Sequence, residues 1–319
     1  MLSKFKPLTS VEICAGGGGQ SLGLALAGFT PLALVEIEKD YVSNMKRNRP
    51  EWPVICKDVK DFDGKPYKGV DLFAGGVPCP PFSVAGKQLG ENDERDLFPQ
   101  ALRLIKEIQP KTIMLENVRG FLDPIFSEYR EKLFNEIKSL GYSDVKIKLL
   151  NASDYGVPQL RPRVVILATR DDLHLTLKYP TPHPEGTLSV GETLYDLMKA
   201  NGWKDAKKWA RQAKGIAPTI VGGSLKHGGP DLGPTRSKKA WLEKFDVNGK
   251  SIANDAPSPD FEGAPRLTVR MIARLQGFPD QWNFGRYKTK ACRMIGNAFP
   301  PPVAEAVGKE IIRSLRNEN

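Results

Sequence analysis

Cys79 lies in a segment whose composition suits a reactive thiol. The run DLFAGGVPCPPFS, residues 71–83, resembles a strand that ends in a loop, with Cys79 between Pro78 and Pro80. Pro80 disfavours the helical region for the residue before it, and the flanking prolines and glycines give the thiol no large apolar neighbours. A lone cysteine is more often a small buried hydrophobe, but this setting favours a presented nucleophile.

Three charged residues border two further strand candidates. Glu116 ends TIMLE, and Arg161 and Arg163 stand in QLRPR just before VVILAT. A carboxyl group at the carboxyl end of a strand in an open α/β sheet lies where ligands bind, so Glu116 could share a proton with a ring nitrogen; a helix cap or an ion pair is the alternative. Alternate arginines on an extended segment point the same way, so both should reach one polar group or phosphate, with a surface salt bridge as the ordinary alternative.

A glycine cluster stands between a strand candidate and a helix candidate in ICAGGGGQSLGLALAGF, residues 13–29. Glycines allow a tight turn and let a ligand approach the helix N-terminus. Glu36 follows at the end of the next strand candidate, where a carboxylate can accept hydrogen bonds from two ribose hydroxyls. The pattern favours an adenosine-containing cofactor, although such turns also serve nicotinamide cofactors and purely structural roles.

The elements that must position these residues alternate along the first half of the chain. The strand candidates are SVEIC, LALVE, DLF, TIMLE, VKIKLL and VVILAT, and helix candidates lie between them at residues 19–27, 97–108 and 129–140. This alternation predicts an α/β fold with a largely parallel sheet covered by helices.

The amino-acid composition changes after Tyr179, where glycine, proline and polar residues become frequent. A disordered linker is one interpretation, but the large apolar side chains of this stretch favour a small irregular domain with its own core. They are Trp203, Trp209, Ile216, Ile220, Trp241 and Phe245. Helical pattern returns at residues 268–275 and 303–315. We therefore expect a domain over residues 1–178, an inserted domain over 179–263, and a return to the first domain over 264–319.

Composition excludes several classes of protein. No apolar run approaches the roughly 20 residues that span a bilayer, and the N-terminus has no signal-peptide pattern, so we expect a cytoplasmic protein without a membrane partner. Four scattered cysteines and three histidines suggest free thiols and no metal site. The formal charge is +10, and residues 201–250 hold eleven lysines and arginines against four acids. That concentration favours a phosphate-binding surface over a merely solvated face.

The order and wording of these motifs resemble the DNA (cytosine-5) methyltransferase family of the prokaryotic restriction-modification type. The matching pieces are AGGGGQSLGLALAGF with Glu36, Asp58 in KDVKDF, GVPCPPFS, GKQ with Arg95, ENV, QLRPR, RLTVRMIARLQGFPD and GNAFPPPVAEAVG. They cover nearly the whole chain. The resemblance implies a Rossmann-like S-adenosylmethionine-dependent methyltransferase domain with an inserted target-recognition domain.

The resemblance also implies a covalent mechanism without a metal. Cys79 would attack C6 of cytosine, Glu116 would hold and protonate N3, and Arg163 would contact the base edge with Arg161 nearby. The reacting face is hidden in a duplex, so the base must be flipped out.

S-adenosylmethionine would be the methyl donor and S-adenosylhomocysteine the product. The residues that the resemblance assigns to this cofactor are Cys14, Ala15, Gly16, Gly17, Gly18, Gly19, Glu36, Ile37, Asp58, Val59, Pro78, Asn297 and Ala298. Members of the family usually have phenylalanine where this chain has Cys14, and glutamine where it has Pro80. The first departure puts a face-on contact to adenine in doubt, and the second a side-chain hydrogen bond beside the nucleophile.

Double-stranded DNA is the expected partner. The predicted contacts are Ser83, Lys87, Gln88 and Arg95 in a lid-like loop, and Ser224, Lys226, His227, Arg236, Lys238 and Lys239 in the insert. Among these, we assign Arg236 to bases and Lys238 or Lys239 to phosphates. We expect a monomer, and a cognate restriction endonuclease acting on the same site without direct contact stays open.

Three other functions compete with this interpretation. A nicotinamide-dependent oxidoreductase leaves PCPPFS and QLRPR unexplained, and a non-catalytic DNA-binding protein has no use for Cys79 and Glu116 together. A tRNA cytosine-5 methyltransferase on the same catalytic domain is the nearest alternative, and the size and basic composition of the insert favour duplex DNA.

Overall fold

The structure, a computed structural model, describes residues 6–78, 96–183, 185–222 and 229–316 of the 319-residue chain. The chain divides into two compact units. The first unit comprises Met1–Leu150, Pro162–Pro180 and Ala304–Asn319, and the second comprises Asn151–Arg161 and Thr181–Val303. These limits differ from the expected ones, because residues 264–303 belong to the second unit and a short segment before Pro162 joins it.

The described residues contain the following strands: β1 Leu8–Ile13, β2 Phe29–Glu36, β3 Val54–Cys56, β4 Leu72–Gly76, β5 Thr112–Val118, β6 Asp144–Asn151, β7 Gln159–Leu160, β8 Pro162–Thr169 and β9 Ala217–Pro218. Seven of them form one sheet in the order β3-β2-β1-β4-β5-β8-β6, and β7 pairs with β9. The pairs β2–β3, β1–β2, β1–β4 and β4–β5 are parallel, whereas β8 runs antiparallel to β5. The predicted α/β fold with a mostly parallel sheet is confirmed.

The α-helices of the described residues are α1 Gly19–Ala27, α2 Lys39–Asn48, α3 Phe98–Ile108, α4 Ser127–Ser139, α5 Val190–Lys199, α6 Ala206–Gln212, α7 Thr235–Phe245, α8 Val269–Leu275, α9 Lys288–Asn297 and α10 Pro301–Leu315. Apolar residues recur at helical spacing on α3, which buries Phe98, Ala101, Leu104, Ile105 and Ile108 against the sheet core. None of the helices in the described part of the chain is long and apolar enough to cross a membrane.

The central strands of the first unit are buried on both faces, as strands in a helix-covered parallel sheet should be. In β5 the six residues Thr112 to Asn117 are all buried, and Glu116 is among them. A polar residue in such a strand needs partners inside the protein.

The second unit has a core of its own, in which several tryptophan side chains pack together with aliphatic residues. Trp203, Trp209, Trp241 and Phe245 are buried, and the rings of Trp241 and Phe245 lie 5.2 Å apart. The indole nitrogen of Trp209 donates to the carbonyl oxygen of Phe245 at 2.8 Å. This packing makes the glycine- and proline-rich stretch a folded unit rather than a linker.

Candidate active site

The glycine cluster forms a tight turn between β1 and α1. Cys14, Gly16 and Gly18 have φ angles of 53°, 58° and 85°, the left-handed region in which a β-carbon is strained. Gly18 is the residue before the helix, and its amide donates to the carbonyl oxygen of Ala15 at 3.1 Å. Glycine at 16 and 18 therefore lets the chain reverse direction within five residues and start α1 beside the end of β1.

Glu36 holds this turn from the neighbouring strand. Its carboxylate accepts a hydrogen bond from the amide of Gly16 at 2.7 Å through Oε2 and one from the amide of Glu38 at 2.9 Å through Oε1. Burial raises the pKa of Glu36, while hydrogen bonds from backbone amides, including those of Glu38 and Gly16, act in the opposite direction. A carboxylate offers about four acceptor positions, so each oxygen keeps one for a ligand hydroxyl. The structure thus brings together two of the predicted cofactor residues, Gly16 and Glu36.

Glu12 is a residue of this site that our sequence reasoning missed. It lies near the end of β1, is 1% exposed, and accepts a hydrogen bond from Ser21 Oγ on α1 at 2.7 Å. Burial raises the pKa of Glu12 to about 8, and the Ser21 hydrogen bond counteracts part of that effect. The available signal was an acid inside SVEIC, an otherwise apolar strand candidate that the sheet must bury.

The other predicted cofactor residues of the first unit surround the same strand ends. Cys14 is half-buried, and burial followed by the charges of Glu36 and Glu12 raises the pKa of its thiol, which stays protonated. Ile37 is 58% exposed, so its side chain is open to a flat apolar group. Asp58 accepts the amide of Lys60 at 2.9 Å and caps the turn that contains the buried Val59.

These residues fit an adenosine-containing cofactor on chemical grounds. The turn supplies backbone at close approach, Glu36 has acceptor positions left for two ribose hydroxyls, and Ile37 offers an exposed apolar surface. Within the described residues, no group of three or more histidines, cysteines or acids could hold a metal ion.

Glu116 and Arg163 form a buried ion pair on adjacent strands. Arg163 Nε lies 2.8 Å from Glu116 Oε1, and the two side chains are 12% and 11% exposed. The antiparallel register, which pairs Val118 with Arg163 and Glu116 with Val165, sets the two residues on neighbouring strands within reach. Burial lowers the pKa of Arg163, and the Glu116 carboxylate raises it again. The pair therefore holds a carboxylate at the carboxyl end of β5 in a fixed position.

The same strand end anchors the chain that leads to Cys79. Gly76, the last residue of β4, is the partner of Glu116 in the sheet, and a β-carbon there would lie 3.3 Å from Glu116 Oε2. Asn117 Nδ2 donates to the carbonyl oxygen of Val77 at 3.0 Å. Pro78 is exposed, and Cys79 lies outside the described residues, as do Ser83, Lys87, Gln88 and Arg95. The structure thus fixes the backbone at Val77 through Asn117, a residue that the sequence analysis gave only as part of the motif ENV.

Arg161 and Arg163 bind different groups. This corrects the expectation that both side chains reach one polar group. Arg161 is 0% exposed and donates to the carbonyl oxygens of Ile220, Gly296 and Ala298 at 2.8, 2.6 and 3.0 Å, all in the second unit. A surface salt bridge is also excluded. The physical reason is that the planar guanidinium group can serve several carbonyl oxygens at once where loops converge.

The predicted cofactor residues Asn297 and Ala298 lie in the second unit at the end of α9. The carbonyl oxygen of Ala298 accepts from Arg161 and from Gln276 Nε2. Asn297 is exposed, and a β-carbon on Gly222 would overlap its Oδ1 atom. Gly222 is therefore required for the close approach of its backbone to α9, immediately before residues 223–228. The predicted contacts Ser224, Lys226 and His227 fall in that stretch, outside the described residues.

The remaining predicted DNA contacts lie on α7. Arg236 is exposed. Lys238 Nζ lies 2.7 Å from Asp231 Oδ2, and Lys239 Nζ lies 3.6 Å from Glu243 Oε1. Two of the three side chains are thus already paired with acids.

The sheet order and the glycine turn with its acid on the next strand define a Rossmann-like α/β domain of the class that binds nucleoside-containing cofactors. A sequence profile of the family described as C-5 cytosine-specific DNA methylase matches residues 8–313. The chain belongs to this family, so the predicted family and enzyme class are confirmed.

Relatives in this family are Type II methyltransferases. The chain is 52% identical to M.NgoMIV of Neisseria gonorrhoeae over 316 residues, with 98% of this chain and 99% of the relative covered. It is 49% identical to M.NaeI of Lentzea aerocolonigenes, with 98% and 77% covered. Among solved structures, one described as a prophage-encoded DNA modification methyltransferase of Escherichia coli has a TM-score of 0.69 and 26% identity, and covers 97% of this chain and 99% of its own. A DNMT2 mutant of Spodoptera frugiperda shares the fold, with a TM-score of 0.68, 19% identity, and 96% and 99% coverage.

Proposed function

We propose that the chain transfers a methyl group from S-adenosylmethionine to C5 of a cytosine flipped out of duplex DNA, through a covalent bond between Cys79 and C6. The observation that supports this best is the buried pair of Glu116 and Arg163 beside Gly76, three residues before Cys79. It holds a candidate proton-sharing acid at the carboxyl end of β5, beside the strand end after which the sequence continues to the nucleophile candidate.

In this mechanism the thiolate of Cys79 adds to C6, and the electron pair of the C5–C6 double bond makes C5 nucleophilic. Glu116 shares a proton with N3, which stabilises the negative charge that attack places on the ring. Arg163 keeps Glu116 in position. S-adenosylmethionine supplies the methyl group from its sulfonium centre. A base then removes the proton from C5, the bond between sulfur and C6 breaks, and the ring and thiolate are restored.

Glu36 and the backbone of residues 15–19 would bind the ribose and the methionyl part of the cofactor, with Ile37, Asp58 and Val59 at its adenine end. Arg236 stays our proposed base contact, because it is exposed on α7. The ion pairs of Lys238 and Lys239 make them weaker candidates for phosphates, since a lysine already paired with an acid gains less from a phosphate.

The test is the variant Cys79→Ser, with Cys56→Ser as the matched control. A hydroxyl is a far poorer nucleophile near neutral pH, so Cys79→Ser should lose methyl transfer to duplex DNA and keep its affinity for S-adenosylhomocysteine. Cys56 is an exposed thiol, and its variant should keep full activity.

A duplex with 5-fluorocytosine at the target should trap the wild-type enzyme covalently, because fluorine cannot leave C5 as a proton does. Substantial turnover by Cys79→Ser would refute the mechanism. Methylation of tRNA but not of duplex DNA would refute the proposed substrate.

A further inference from the structure

The second unit contains a basic cleft between α5 and α6. The cleft has a volume of about 710 Å³ and is lined by Lys207, Arg211 and Lys214 on one side and by Glu192 and Tyr195 on the other. Lys207 and Arg211 are four residues apart on α6 and therefore share one helix face. Lys214 follows two residues after the helix ends and extends the same edge. Three cations thus border one opening.

The charge of this cleft is only partly neutralised. Among the described residues, no acid forms an ion pair with Lys207, Arg211 or Lys214. The acid in the lining, Glu192, is occupied by Ser189, whose amide and hydroxyl donate to it at 2.8 and 2.6 Å. These hydrogen bonds lower the pKa of Glu192, so it stays ionised, and the lining keeps three positive charges against one negative charge.

The walls of the cleft are held by backbone contacts. Gly191 donates its amide to the carbonyl oxygen of Ala213 at 2.8 Å, and Val190 donates to that of Gly215 at 2.9 Å. A β-carbon on Gly191 would overlap the carbonyl oxygen of Ala210, so glycine is needed for this approach of α5 to α6. The backbone that carries the cations is therefore set before any ligand arrives, which reduces the entropy cost of binding.

We propose that this cleft binds the phosphate backbone of DNA, as a contact separate from base recognition and from the residues assigned above. The inference rests on duplex DNA being the substrate. Four residues of helix rise by about 6 Å, and one strand of B-DNA carries a phosphate every 3.4 Å along the axis, so the edge spans roughly two phosphates. Unpaired cations beside a polyanion are the arrangement that releases counterions on binding.

The test replaces Lys207, Arg211 and Lys214 together by glutamine in the full chain. Binding to a duplex is measured by fluorescence anisotropy over a range of salt concentrations with S-adenosylhomocysteine present. Each phosphate contact contributes about 0.9 to the slope of log affinity against log salt concentration. Loss of roughly two contacts should therefore make the slope shallower by about 1.8. The affinity loss of the variant should therefore be about tenfold larger at 50 mM than at 200 mM salt. The loss should be the same for duplexes with and without the target site, and the methylated sequence should not change.

The control removes three positive charges elsewhere, by Lys68→Gln, Lys106→Gln and Lys138→Gln on exposed positions of the first unit. It should leave the salt slope nearly unchanged. Because every substituted side chain is exposed, both variants should keep the wild-type unfolding midpoint.

Two results would overturn the inference. One is a cleft variant with the salt slope of the wild type or of the control. The other is a loss confined to target-containing DNA with a relaxed methylation sequence, which would mean base reading. If either occurs while duplex DNA is still methylated, this inference fails alone; if no duplex DNA is methylated by the wild type, the proposed function fails.

Discussion

Glu36 offers the sharpest test of the cofactor site, because its carboxylate already has two backbone partners. Glu36→Gln keeps the shape but replaces one acceptor oxygen by an NH₂ group. Since the amides of Gly16 and Glu38 approach different oxygens, one of them must then face a donor. The variant also removes the charge that strengthens hydrogen bonds from ribose hydroxyls.

The expected loss follows from the number of hydroxyls that Glu36 can bind. A hydrogen bond to a charged group is worth about 1.5 to 3 kcal/mol, and about 1.4 kcal/mol corresponds to a factor of ten. Loss of one such bond should weaken binding roughly 10- to 150-fold. Burial raises the pKa of Glu36, so this acid becomes protonated at a higher pH than an exposed glutamate does. The protonated acid accepts hydrogen bonds more weakly. As the pH is lowered, the affinity of the wild type for the cofactor should therefore start to fall earlier than it would with an exposed glutamate.

Calorimetry with S-adenosylhomocysteine and with its 2′-deoxy analogue separates a ribose contact from a general disturbance of the loop. The wild type should prefer the ribose form, and Glu36→Gln should lose most of that preference. Glu38→Gln is the matched control, because it removes a neighbouring charge and keeps its backbone amide. Equal losses for both ligands in Glu36→Gln would mean that Glu36 only supports the turn, and an unchanged dissociation constant would remove it from the site.

Two further predictions concern buried charges. Burial raises the pKa of Glu12 to about 8. Between the ordinary glutamate pKa and about 8, the folded state therefore keeps a proton that the unfolded state has released. The free energy of unfolding should fall as the pH rises through that interval. Glu12→Gln should flatten this dependence in denaturant unfolding at pH 6 and pH 9, and an unchanged pH dependence would show that Glu12 is ionised. Arg163→Met leaves the Glu116 carboxylate buried without its ion-pair partner and should cost about 3 to 5 kcal/mol of unfolding free energy. Adding Glu116→Gln to the same chain should restore most of that loss. Additive losses in the double variant would contradict the coupling.

Several regular elements of the first unit were predicted from their apolar spacing, whereas α2 and β3 were not. A helix over 19–27 was predicted and observed, and the helix expected over 129–140 is α4, Ser127–Ser139. Gly141, which follows shortly after this helix, has a φ angle of 89°, a conformation that favours glycine. The antiparallel direction of β8 was not predicted, because hydrophobic pattern alone does not carry strand direction.

Sequence reasoning placed the residues of the candidate site better than their contacts. Glu36 was expected to face a ligand, and the structure adds that it also binds the amide of Gly16. Asn117 was part of a motif without a role, and its donation to Val77 is visible only once β4 and β5 are adjacent. Contacts to backbone oxygens leave little trace in a single sequence, because every residue has such an oxygen.

The segment around Pro162 gives a physical reason why side-chain contacts are hard to predict from the sequence. Arg161 and Arg163 are two positions apart, and the division between the two units falls between Arg161 and Pro162. Arg161 satisfies carbonyl oxygens 59, 135 and 137 residues away within the second unit, whereas Arg163 neutralises Glu116 within the first. Both burials are tolerable because each guanidinium group has partners of the right kind, carbonyl oxygens in one case and a carboxylate in the other. Alternation along an extended chain predicts a shared direction only while both residues belong to one regular strand, and β8 begins at Pro162, after Arg161.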